Sequence, residues 1–78
     1  MFKVVLNRDN LEKAMIRHNL SRKLLARKIG LSASYLSRIL NGKQNPTAAV
    51  RQTLLQYFKG CSFDDLFIIQ EDGDDDRS

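Results

Sequence analysis

Tryptophan is absent from this chain, proline, cysteine and histidine occur once each, and glycine four times in 78 residues. A single cysteine, Cys61, excludes an internal disulfide and cannot make a zinc site alone. There is no Gly-rich phosphate loop and no nucleophile with a base at a recognisable spacing, so the chain reads as a non-enzyme without cofactor or metal. No apolar run approaches the roughly 18 residues that span a bilayer. The start, "MFKVVLNRDN", lacks the apolar stretch of a secretory signal, and the expectation is a cytoplasmic protein with no membrane contact. Aromatics make up 8% of the residues against 42% hydrophobics in all, so the core has to be mostly aliphatic. At this length that composition suits one small helical bundle.

Acidic residues are scarce until the end. Twelve of the thirteen Lys and Arg, but only four of the nine acids, fall in residues 1–70, a local excess of eight positive charges beneath an overall +4. The segment "EDGDDDRS" carries the other five acids. A basic body with an acidic end is the arrangement of polyanion binders. We divide the chain into a folded domain, 1–70, and an acidic disordered tail, 71–78.

Between the ends the polar and apolar residues alternate in helical fashion. "KVVL" (3–6) is short and β-branched, and "LFIIQ" (66–70) is its one plausible partner, which predicts a two-stranded pairing of the termini. Asn7 or Asp9 caps a first helix with Leu11, Met15 (or Ala14) and His18 along one side, ending near Asn19. Ser21 caps "RKLLARKI", where Leu24, Leu25, Ala26 and Ile29 form the buried stripe and Gly30 terminates it. Ser32 caps "ASYLSRILN", with Leu36, Ile39 and Leu40 inside and Gly42 at the end. Thr47 or Asn45 caps a longer helix, with Val50, Leu54, Tyr57 and Phe58 facing in and Gly60 stopping it. Ser62 caps a last turn carrying Phe63, Leu66 and Phe67, with Asp64 and Asp65 complementing the helix start. The fold class is all-α: five short helices with a small β pairing of the termini.

The segment "ARKIGLSASYLSRILNG" (26–42) holds the clearest pattern. Ala26 stands four places before Gly30, and Leu36 and Ile39 six and nine places after it, the spacing two steeply crossing helices require. The crossing leaves room for little more than a methyl, and Gly30 supplies a positive φ where the chain reverses. This is a helix-turn-helix, whose second helix projects its N-terminal residues toward a DNA major groove. Ala33, Ser34, Tyr35, Ser37 and Arg38 are the outward residues there.

The run "LSRKLLARKIGLSASYLSRILNGKQNPT", and more weakly the chain from 8 to 67, resembles the phage Cro and lambda-repressor type of helix-turn-helix domain, the XRE family. The resemblance implies a five-helix lambda-repressor-like fold that binds operator DNA, usually as a dimer, and represses transcription in a bacterium, phage or mobile element. It places the protein on the nucleoid. Two positions depart from the family pattern. Arg22 stands where the family often has a phosphate-touching Gln, and it serves the same purpose with a full charge. Ala33 stands where the family often has a Gln that reads an adenine edge; alanine offers only a methyl, suited to a thymine methyl.

Within that frame, Ser34 and Arg38 are candidates for base or phosphate contact, and Tyr35 either contacts DNA or covers Leu31. Ser32 is a cap whose helix N-terminus also seats a phosphate. Arg22, Asn41, Lys43 and Asn45 flank the recognition helix and are read as phosphate contacts. Lys13, Arg17 and Arg51 are read as solvated charges, His18 as a surface cap and Cys61 as a small filler. A competing reading is an interaction module of the same fold, an antitoxin or adaptor that clamps a protein partner. The acidic tail and the edge strand "FIIQ" favour that reading, whereas Arg22, Arg38 and Lys43 favour DNA.

Overall fold

Every helix among the described residues starts at a polar side chain that accepts a hydrogen bond from a backbone N–H three residues on. The computed structural model describes residues 1–71. Within them Asn7 accepts from Asn10, Ser21 from Leu24, Ser32 from Tyr35, Thr47 from Val50 and Ser62 from Asp65. Each cap satisfies one of the donors that a helix start leaves unpaired. The elements are β1 (Phe2–Leu6), α1 (Arg8–Arg17), α2 (Arg22–Ile29), α3 (Ala33–Leu40), α4 (Ala48–Tyr57), α5 (Phe63–Leu66) and β2 (Phe67–Glu71). The expected five helices and terminal pairing are therefore present. At α5 the Asp65 carboxylate also accepts from the Ser62 N–H at 2.8 Å, closing a reciprocal capping box.

The first three helices stop in one and the same way. After α1 the N–H of Leu20 reaches Met15 O (2.8 Å) and that of Asn19 reaches Ile16 O (3.0 Å). After α2 Leu31 bonds Ala26 and Gly30 bonds Arg27, and after α3 Lys43 bonds Arg38 and Gly42 bonds Ile39. The pair of bonds needs one left-handed residue, here Asn19 (φ 56°), Gly30 (φ 77°) and Gly42 (φ 75°). α1 ends at Arg17 and His18 is its exposed C-cap, as expected, with its ring set against those of Tyr57 and Phe58. One expectation about the helix ends needs correction. α4 ends at Tyr57, ahead of Gly60, because Phe58 leaves helical geometry (φ −100°, ψ 71°) while its ring is buried in the core.

Leu11, Ala14, Met15, Leu25, Ala26, Leu36, Ile39, Leu40, Val50, Leu54, Phe58, Leu66 and Phe67 form one buried cluster, as aliphatic as the composition requires. Leu24, Ile29 and Tyr57, expected inside, are only partly buried. The strands pair antiparallel from Leu6 opposite Phe67 to Phe2 opposite Glu71. Glu71, grouped by sequence with the tail, thus closes β2; the rest of the tail, 72–78, lies outside the described residues. An isolated strand pair is marginal in water. This one is fastened at its base, where the Asn7 N–H donates to Leu66 O (2.8 Å), Asn10 Nδ2 donates to Asp65 O (2.7 Å) and Phe67 enters the core. Away from the base, Ile69 in the middle of β2 and Phe2 at the far end are exposed at 57% and 69%.

A Cβ built at Gly30 meets nothing within 4 Å, so any substitution there is charged only for the left-handed backbone. Gly30→Val is expected to cost at least about 1–2 kcal/mol, and Gly30→Asn less, since Asn19 already occupies the equivalent position after α1. Ala26→Leu, at a site 2% exposed, is expected to cost about 1–3 kcal/mol by overpacking. In thermal melts followed by circular dichroism each kcal/mol corresponds to about 4–8 °C. Equal melting temperatures for the Asn and Val variants would refute the conformational account.

Candidate nucleic-acid interface

Ala26 sits buried where α2 packs on α3, and the turn between them consists of Gly30, Leu31 and Ser32. α3 is anchored through Leu36, Ile39 and Leu40, all buried. That leaves Ala33, Ser34 and Arg38 exposed and Tyr35 and Ser37 half-buried. Positions 33, 37 and 41 follow one another at helical spacing, and Asn41 Nδ2 donates to Ser37 Oγ at 3.4 Å, so these residues line one face. The Ser32 hydroxyl accepts from the Tyr35 N–H at 3.1 Å, while the preceding N–H groups of α3 point out of the helix start, where the dipole favours anions.

Arg38 is held on both sides. Its Nε donates to Gln44 Oε1 at 3.1 Å, and its guanidinium carbon lies 5.8 Å from the centroid of the Tyr35 ring. Tyr35 also packs against the core cluster, so its ring links the core to Arg38. Lys43 and Asn45 are exposed on the turn that follows α3, and their side chains have no hydrogen-bond partner among the described residues.

Arg22 opens α2 and is half-buried; its Nη2 donates to Glu12 Oε2 at 3.1 Å, and the Arg8 Nε donates to the same oxygen at 3.2 Å. The bond from Arg22, then the bond from Arg8, hold the Glu12 carboxyl below its ordinary value against an opposing desolvation. Arg51, read as a solvated charge, instead donates to Pro46 O at 3.0 Å and fastens the turn to α4. Three residues near the interface escaped sequence reading. Gln44 shows itself only as a polar residue shortly after Gly42. Lys3 and Arg8 belong to the far end of the chain from α3 and meet its following turn only through the fold.

Residues 11–66 match the helix-turn-helix family HTH_3. The chain is also 38% identical over 65 residues to a protein of Bacillus subtilis (strain 168) named "Uncharacterized HTH-type transcriptional regulator YvzC", with 83% of each chain covered. No solved structure matches.

The lowered Glu12 carboxyl makes a pH prediction. Because its folded value lies below the unfolded one, the ionised group's contribution is fully present above the ordinary carboxylate range and is lost as pH falls through the lowered value. Wild type is therefore expected to melt slightly above Glu12→Gln at neutral pH, with the difference closing on acidification. A difference that persists unchanged to strongly acid pH would rule out the ion pairs as its source.

Proposed function

Because the chain belongs to the HTH_3 helix-turn-helix family, and its likeness to a transcriptional regulator supports a DNA-binding regulator, we propose that it represses transcription by seating α3 in the major groove of an operator. The supporting observation is the division of α3 into a fully buried stripe and an open face from which Arg38 projects, braced by Tyr35 and Gln44. In a lambda-repressor-like arrangement, Arg38 reads a guanine edge through its forked donors, and Ser34 and Ser37 add short hydrogen bonds. The Ala33 methyl meets a thymine methyl, and Tyr35 contacts DNA through the ring edge that Arg38 leaves open. Ser32 seats a phosphate at the start of α3, while Arg22, Asn41, Lys43 and Asn45 grip the flanking backbones and fix the register without reading sequence.

The working unit in this reading is a homodimer in the cytoplasm, bound to the nucleoid. Exposed Phe2, Ile68 and Ile69 give the terminal sheet apolar surface to bury, and a strand edge paired antiparallel with its own copy satisfies two-fold symmetry. The same surface favours the second reading, a clamp for a different protein.

Selection of bound sequences from a random duplex pool is expected to return two half-sites in inverted orientation, about 10 bp apart. A dimer neutralising roughly 6–10 phosphates loses about 10³–10⁵ in affinity between 50 and 200 mM salt. Arg38→Ala is expected to cost about 1–3 kcal/mol on the selected site and to relax its preference, whereas Lys43→Ala weakens all sequences alike. Salt-independent binding, or no enrichment of any sequence, would overturn this function and favour the protein clamp.

A further inference from the structure

We propose that a groove between β1 and the turn after α3 seats a phosphate of the DNA backbone, with Lys3 and Arg8 as its cations. The inference rests on the DNA-binding reading above and extends the contact surface beyond the helix-turn-helix itself. The groove has a volume of about 370 Å³; Lys3 and Arg8 line one side, and Asn41, Gly42, Gln44 and Asn45 the other. Among the described residues no carboxylate lines it. Beside the apolar Val5, Leu6, Ile39 and Leu40 that also line it, two cations and three side-chain amides supply hydrogen-bond donors suited to anionic oxygens, and Gly42 adds no side chain there.

Two independent features turn the groove toward DNA. Asn41 and Asn45, at the exit of α3, line it directly, so an anion lodged there lies at the end of the helix assigned to the major groove. The N–H groups of Gly42 and Lys43 already bond the carbonyls of Ile39 and Arg38, which blunts the negative end of α3 that would otherwise repel an anion. On the opposite side, Arg8 and Arg22 converge on one oxygen of Glu12 at 3.2 and 3.1 Å. Arg8 uses only its Nε there, and its terminal amino groups have no partner among the described residues. The positive edge therefore continues from Arg22 at the start of α2, through Arg8, to Lys3 on β1. A phosphodiester chain, a repeated anion, matches that edge better than a single small anion does.

The test measures binding of a short random-sequence duplex by fluorescence anisotropy between about 50 and 200 mM salt, using wild type, Lys3→Gln, Arg8→Gln, the double variant and Lys59→Gln. Lys59 is exposed and lies outside the groove, so its variant controls for net charge. Each groove substitution is expected to reduce the slope of log affinity against log salt by about 1 per bound protomer, and the double by about 2. Lys59→Gln is expected to leave the slope near wild type. Groove variants with the slope of Lys59→Gln would overturn the proposal while leaving the DNA-binding reading intact. Salt-independent or absent binding by wild type would overturn that reading and the groove's role with it. Inorganic phosphate at millimolar concentration is expected not to displace the duplex beyond its contribution to ionic strength; stronger displacement would make the groove a free-anion site and overturn the assignment to DNA.

Discussion

The presentation of α3 depends on the left-handed backbone at Gly30. That one residue lets the N–H of Leu31 turn back onto Ala26 while the chain leaves α2 in a new direction, and two residues later Ser32 caps the next helix. The angle between the helices is then held by packing, with Ala26 buried at the crossing and Leu36, Ile39 and Leu40 behind it. A distortion here is moderate as an energy and large as a displacement, because the open face of α3 lies at the end of the lever.

Charge around α2 and α3 is arranged by neutral and acidic partners. Gln44 and Tyr35 restrict Arg38, whose long side chain would otherwise lose considerable rotamer freedom on binding. Glu12 gathers two arginines at the starts of two helices. Exposed ion pairs of this sort add little to stability and are screened by salt. Their effect is positional: they decide where the positive charge stands when a polyanion approaches.

The terminal sheet joins the two ends of the chain over α5. Its base belongs to the core through Leu66 and Phe67, while Phe2, Ile68 and Ile69 farther along the strands are exposed. The fold thus offers two surfaces of opposite character, one cationic around α3 and one hydrophobic at the sheet. In the proposed function the first meets DNA and the second a copy of the chain.

Hydrogen bonds that close within three to five residues were determined by the sequence alone. Ser21, Ser32 and Ser62 cap as expected, and Gly30 and Gly42 end α2 and α3, because a cap or a left-handed residue acts through its immediate neighbours. The face of α3 was legible for the same reason: burial of Leu36, Ile39 and Leu40 turns the remaining residues outward. Gly60 misled because a glycine that stops a helix and one that merely follows it look alike in sequence, and the burial of Phe58 chose the earlier stop. What only the tertiary structure decided spans longer separations: Glu12 between Arg8 and Arg22, Asn10 on Asp65, and β1 beside the turn after α3. Local periodicity cannot encode these contacts, because they form only after the buried stripes of several helices have been packed into one core.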